Sequence, residues 1–384
     1  MNGLRARIDY ILKHNTFVNK TFKVLASAFF RFIGIFVPME KNAILFSSLS
    51  RKYNDSPREI YEYLLAHKEY SGYKFYWAIE KGDNTEIPGT YKRVTPDTFS
   101  YFVTALRCKY WVTSVNIERG LKFKKRKTVY LNTWHGIPIK TVGNCAGGRT
   151  GYDFSHVDYF CISGEYEVDL YRRAFNVDEK QLLRVGMPRN DKLYATDVDE
   201  TVAIKKKLGL PLDKKIILYA PTWRDSKDGG KTYSVCPPID FDKWKRELGN
   251  EYLLLFRAHP YTSALMNVKF NSFVMDFSKY PVMNDLLKVT DILISDYSAT
   301  FFDFSILERP VICFAYDYED YSNERGLFMD IASEIPGGVV FDEENLLKKI
   351  KKSDFDMKEV RDFKNRYLEY GANATERCVK ALLG

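Results

Sequence analysis

Residues 292–315 read ILISDYSATFFDFSILERPVICFA. A short apolar run (292–295) is followed by a polar turn, a helix-forming stretch (300–307) and a second apolar run (311–315). Strands this short and this uniformly apolar belong to parallel sheets covered on both faces, and the intervening helix makes the unit β-α-β. The same grammar extends in both directions from this unit. Strands are predicted at 216–220, 252–257, 273–276 and 338–341, with helices at 240–248, 282–288, 344–351, 360–370 and 375–383. An earlier series places strands at 43–47, 73–79, 109–115, 128–132, 157–163 and 181–185. A helix opened by Ser56-Pro57 runs to about His67, and another starts near Thr98. Two successive α/β series meeting near residue 200 define two doubly wound, Rossmann-like domains facing a central cleft.

The composition is that of a folded protein: 384 residues, 45% hydrophobic, 28% charged and 15% aromatic. Its formal charge of +8 is not spread evenly. Arg5, Arg7, Lys13, Lys20, Lys23 and Arg31 face only Asp9 in the first 39 residues, which suits one end meeting an anionic surface rather than a nucleic-acid-binding face. Residues 16–38 (TFVNKTFKVLASAFFRFIGIFVP) are too short and too interrupted for a membrane span. Phe17, Leu25, Phe29, Phe32 and Phe36 interleave with Lys20, Lys23 and Arg31, the makeup of an amphipathic helix in a membrane interface. A helix packed on the body is the competing reading. Six cysteines without a CxxC pair give neither a zinc nor a disulfide framework, so a reducing compartment is expected.

Sites in such sheets lie beyond the strand C-termini. The chain has no GxGxxG after its first strand and no GxxxxGK[ST], so dinucleotide and P-loop readings lose their main signal. His135 follows a strand in NTWHGIPIK, where a histidine before glycine is held yet reachable, and its range suits taking a proton from an alcohol. Arg257 and His259 end another strand in LLFRAHP and suit phosphoryl oxygens. Ser295, Asp296, Ser298 and Thr300 form the turn into the 300–307 helix, whose N-terminus offers unpaired N–H groups to a diphosphate. Asp303 would repel phosphate unless paired and reads as support for that turn. Thr222 and Arg224 in APTWRDS, Arg189 in GMPRND, and Arg309 before a strand complete the strand-end set. No His/Asp/Glu grouping has metal-ligand spacing. The acidic stretch 317–320 reads as a solvated loop, and a divalent-ion requirement stays open.

Taken in order, these pieces resemble the CDP-glycerol:poly(glycerophosphate) glycerophosphotransferase family, the primases and polymerases of wall teichoic acid and related capsules. The resemblance rests on Trp134-His135-Gly136, GMPRND, YAPTWR, Arg257-Ala258-His259-Pro260, Ser295-Asp296-Tyr297-Ser298 with Phe302-Asp303, and RPVICFAYD. It implies a GT-B-like fold with a membrane-interface segment (1–41), an acceptor domain (42–200), a CDP-alditol domain (201–360) and C-terminal helices packing back across them (361–384). It implies two catalytic histidines, His135 as general base and His259 as a donor-phosphate ligand assisting the leaving group. Donor-diphosphate contacts carry over to Ser298 and the amides around Thr300, while Arg257, Thr222, Arg224, Ser295, Asp296 and Arg309 join the donor site on their strand-end positions, and Trp134, Gly136, Lys140 and Arg189 are expected at the acceptor site. It implies no resident cofactor.

The expected reaction is transfer of glycerol phosphate from CDP-glycerol to a prenyl-diphosphate-linked disaccharide at the cytoplasmic face of the bacterial membrane. The partners expected are those two substrates, the anionic membrane and no nucleic acid, with a homo-oligomer or an assembly with other teichoic acid enzymes left open. With the body starting at residue 42, a primase-like enzyme is favoured. A glycerol- or ribitol-phosphate polymerase and a GT-B glycosyltransferase using a nucleotide sugar remain alternatives. A non-catalytic scaffold has no use for two strand-end histidines. Two departures stand out: Ile137-Pro138-Ile139-Lys140 where the family has Thr-Pro-Leu-Lys, and Ala299 where a second serine is usual.

Overall fold

The computed structural model describes residues 15–147, 151–222, 224, 237–258 and 268–384. The first sheet contains β1 (Glu40–Ser47), β2 (Lys74–Ala78), β3 (Tyr91–Val94), β4 (Cys108–Thr113), β5 (Val129–Asn132), β6 (Tyr159–Ile162) and β7 (Leu182–Arg184), in the order 3-2-1-4-5-6-7. The second contains β8 (Lys215–Tyr219), β9 (Tyr252–Phe256), β10 (Val274–Asp276), β11 (Ile292–Ser295), β12 (Val311–Phe314) and β13 (Val339–Val340), in the order 10-9-8-11-12-13. Every pairing is parallel. Each sheet therefore winds outward from its first strand in both directions, which puts a crevice beyond the C-terminal ends of β1 and β4, and another beyond β8 and β11.

The apolar runs became the strands because both faces are covered. Trp77 and Trp111 are fully buried on either side of the first sheet, and Trp244 packs on the second. β3 was not expected, since Tyr91-Lys92-Arg93-Val94 is a half-exposed edge without a continuous apolar run. The helices Tyr166–Phe175, Val198–Lys207 and Tyr318–Arg325 were also unexpected. The last of these overturns the solvated-loop reading of 317–320, because Asp317 is buried against Arg224.

The helix Ala374–Leu383 returns to the first sheet. Cys378, Val379 and Leu382 are buried with Ile44, Phe46 and Trp77, and Asp191 accepts hydrogen bonds from the Ala374 and Thr375 amides at 2.8 Å each. At the other end, the helix Thr16–Phe36 lies on the first domain. Phe30 stacks among Phe99, Phe102 and Phe123, Arg31 donates to the Lys122 carbonyl at 2.7 Å, and the Lys122 amide donates to Ser27 Oγ at 2.8 Å. Its outer side leaves Phe17, Leu25, Phe29, Phe32, Ile35 and Phe36 exposed. No described helix is long and apolar enough to cross a membrane.

Replacing Leu382 by Ala removes a buried side chain from the core under β1, so it should destabilise the protein by roughly 2–5 kcal/mol. Leu383→Ala, at a half-buried neighbour, should cost less in the same denaturant titration.

Candidate active site

The chain after β5 carries the strand-end histidine. Trp134 takes a left-handed φ of 53°, its amide donating to Asn132 Oδ1 at 2.9 Å, and its ring packs against both His135 and Phe175. This turn brings His135 Nδ1 within 2.7 Å of the Ser114 carbonyl beyond β4. A carbonyl only accepts, so Nδ1 holds the proton and Nε2 is the basic nitrogen. Burial pushes the imidazole pKa below its usual value; the bond to Ser114 and the charge of Asp55 oppose this in part. His135 is therefore neutral at pH 7, as a base must be.

Gly136 sits at φ 143°, and a Cβ there would lie 2.8 Å from Ala299 Cβ. The turn that carries His135 thus touches the second domain directly, at Ala299. The next residues continue that contact. Ile137 and Ile139 are buried in the second domain's core, the Phe328 amide donates to the Ile139 carbonyl at 2.7 Å, and Lys140 bridges to Leu327.

Between the domains lies a cavity of about 520 Å³. Its lining includes His135, Asp55 and Arg189 from the first domain, and Arg257, Ser298, Thr300 and Asp303 from the second. Arg257 donates to the Phe277 and Tyr280 carbonyls at 3.0 and 2.6 Å, and burial alone lowers its pKa. No carboxylate pairs with it among the described residues, which suits an incoming anion. Ser298 Oγ lies 2.8 Å from Thr300 Oγ1 and accepts from the Thr300 amide at 3.2 Å. That amide is consequently occupied, and the helix it opens, Thr300–Ser305, is only six residues long. The hydroxyls, more than a helix dipole, are what this turn presents.

The other expected donor residues stand behind this wall. Arg224 donates to Asp317 at 2.6 and 2.9 Å and to Asp296 at 2.9 Å, and it stacks over Tyr297 and Tyr321. Burial works against its charge, but the two carboxylates more than offset this and raise its pKa. Asp296 also accepts from the Thr222 amide at 2.9 Å, and Ser295 Oγ donates to the Ala220 carbonyl at 2.7 Å. Arg309 donates to the Lys288 and Thr290 carbonyls and borders a separate surface depression. His259 lies outside the described residues. Arg189 spans Asp55 and Asp303, with Asn190 adding a 2.7 Å bond to Asp303. The pairing expected to keep Asp303 compatible with phosphate is thus present. Asp55, Arg58, Lys192, Asn284 and Lys288 also line the cavity and were not singled out. No group of three or more His, Cys, Asp or Glu able to hold a metal ion occurs among the described residues.

Two facing Rossmann-like sheets, with a neutral histidine on one wall and hydroxyls and an arginine on the other, define a GT-B-like transferase. Residues 29–384 match the family described as CDP-Glycerol:Poly(glycerophosphate) glycerophosphotransferase, and the chain belongs to that family. It is an enzyme of the glycerophosphotransferase type, in teichoic acid biosynthesis. It is 32% identical to a teichoic acid glycerol-phosphate transferase of Staphylococcus aureus (strain NCTC 8325 / PS 47), over 91% of each chain. It is 33% identical to a teichoic acid poly(glycerol phosphate) polymerase of Bacillus spizizenii (strain ATCC 23059 / NRRL B-14472 / W23), over 97% of this chain and 99% of the relative. It also matches such a polymerase of Staphylococcus epidermidis (strain RP62A) at 34% identity, spanning about half (46%) of that protein. The solved wall teichoic acid polymerase TagF superposes with a TM-score of 0.80 at 29% identity, over 95% of this chain and 97% of that one.

Gly136→Ala puts a methyl group where Ala299 already stands, in a backbone conformation that favours glycine. Transfer activity should fall at least about tenfold, by a displacement of the base of the order of 1 Å. Gly136→Ala/Ala299→Gly, which reopens that space, should recover part of the loss in the same assay.

Proposed function

We propose that the enzyme transfers glycerol phosphate from CDP-glycerol to a hydroxyl of a prenyl-diphosphate-linked disaccharide, releasing CMP. The observation that carries the reading is the bond from His135 Nδ1 to Ser114, which leaves Nε2 as the base of the cavity. The acceptor oxygen attacks the glycerol-side phosphorus, His135 Nε2 takes its proton, and the bond from that phosphorus to the bridging oxygen breaks with CMP as the leaving group. Arg257, Ser298 and Thr300 face the charge that develops on the diphosphate. His259, next to Ala258 in the chain, is assigned to the same phosphates from its place at the strand end and from the resemblance. Arg224, Asp296 and Ser295 serve as the framework that holds this wall, their side chains engaged with one another and with the backbone, and Thr222 joins them through its backbone amide.

We assign a primase-like mode, adding one or a few units. The S. aureus relative is named a transferase without reference to a polymer, while the B. spizizenii relative, of matching length, is a polymerase, so chain length does not separate the two. The outer face of the Thr16–Phe36 helix, with exposed aromatic residues beside Lys20 and Lys23, supports peripheral binding to the cytoplasmic face of an anionic membrane.

Incubation with CDP-glycerol, CDP-ribitol or a UDP-sugar, each with a short-chain prenyl-diphosphate disaccharide, tests the reaction. CMP release with one or two glycerophosphate units on the lipid is expected. A ladder of products makes the enzyme a polymerase, and UDP release alone overturns the donor. His135→Ala should lower the transfer rate by about 10²–10⁴-fold while CDP-glycerol affinity, measured by calorimetry, changes little. Equal loss of both would remove the base role. Phe32→Glu with Phe36→Glu should release the protein from anionic vesicles in a flotation assay, and unchanged binding overturns the membrane assignment.

A further inference from the structure

Arg189, in the first domain, holds one carboxylate from each wall of the cavity. Its Nη1 donates to Asp55 at 3.0 Å, on the first domain's helix Asp55–Ala66, and its Nη2 donates to Asp303 at 2.8 Å, on the second domain's helix Thr300–Ser305. All three side chains are largely buried, at 14%, 6% and 11% exposure. The backbone of the same residue is shared in the same way, its amide donating to Ser56 Oγ and its carbonyl accepting from Asn284 Nδ2. Two carboxylates already balance the charge of this guanidinium, which leaves little of it for an acceptor phosphate.

We propose that Arg189 is a positioning residue of the transfer: it clamps the wall bearing His135 to the wall bearing Ser298 and Thr300, and with Asp55 it fixes the charge that His135 faces. This rests on His135 being the base. A Cβ on Gly136, the residue after His135, would lie 3.5 Å from Arg189 Nη2, so the clamp adjoins the base-bearing turn. The remaining charges around the cavity are mostly paired off. Glu59 binds Lys192, Arg58 binds Glu62, Lys288 binds Glu200, and Asp285 binds Lys207. Lys140, on the same turn, pairs with Leu327 through its backbone and its ammonium bears less on the imidazole than Arg189 does, and Arg257 stands on the far wall. The charges that bear most on the imidazole are therefore the cation of Arg189 and the anion of Asp55, acting in opposite senses. Burial works against the Arg189 charge, and Asp303 and Asp55 together more than restore it, so the clamp is ionised at every pH of interest.

A clamp that also sets the field at the base makes opposite predictions for its two ends. The acid limb of kcat/KM against pH reports the free enzyme's base. Arg189→Gln leaves Asp55 and Asp303 unneutralised, so His135 holds its proton more firmly and the limb moves to higher pH. Asp55→Asn leaves the cation in excess, and the limb moves to lower pH, each by roughly one unit. Arg189→Lys keeps the charge but loses the planar fork. Its limb should stay in place while kcat falls at least tenfold and CDP-glycerol affinity stays within threefold of the wild type. A purely structural role would leave both limbs where they are, and coincident limbs or shifts of the same sign overturn the proposal. If Arg189→Gln does not fold, the Asp55→Asn and Arg189→Lys pair decides the matter alone. A wild-type profile with no acid limb overturns the assignment of His135 and the clamp's electrostatic role together, which separates that failure from the first.

Discussion

In each sheet one pair of neighbouring parallel strands sends its connections in opposite directions, β1 and β4 in the first sheet and β8 and β11 in the second. The chain cannot fill the space beyond those strand ends with its own crossovers, so each sheet is left with an open crevice there. The segments that leave these strands and their neighbours β5 and β9 supply the site. Ser114 follows β4 and fixes the imidazole of His135, which follows β5. Ser298 follows β11, and Arg257 follows β9. The chemistry is set by where the winding reverses, and the helices outside serve mainly to keep the strands dry.

Burial imposes a second constraint, because a guanidinium withdrawn from water must meet carboxylates or carbonyls. Arg224 and Arg189 solve it in the same way, each held between two aspartates. Their positions differ in consequence. Arg224 sits inside the second domain under stacked tyrosines and stiffens the turn between β11 and the Ser298 hydroxyl. Arg189 sits between the domains. Arg257 has carbonyl partners and no described carboxylate, which makes it the arginine of the site with charge left for a substrate.

The strands were legible because covered parallel strands must be apolar throughout, and β3 escaped because an edge strand need not be. His135, Arg257, Ser298 and Thr300 were legible from local text, each standing at a strand end beside a turn-forming residue. The partners of Arg189 were not, since Asp55 and Asp303 lie 134 and 114 residues away in the chain. Nothing local marks an arginine as a bridge instead of a ligand. The acidic stretch after β12 misled for the same reason: Asp317 looks solvated until Arg224, 93 residues earlier, is folded against it.

The return of the Ala374–Leu383 helix to the first sheet has a mechanical consequence. The backbone passes between the two domains twice, once after β7 and once before that helix, and Gly186 and Tyr370 meet where the two passages run side by side. A body joined by a single tether can swivel in any direction. One joined by two adjacent tethers behaves as a door on two pins, with rotation about the line through them as its soft motion. Movement along that one arc is what the pairing of Ile139 and Lys140 with residues 327–328 of the second domain resists, so the covalent chain sets the axis and these contacts hold the angle.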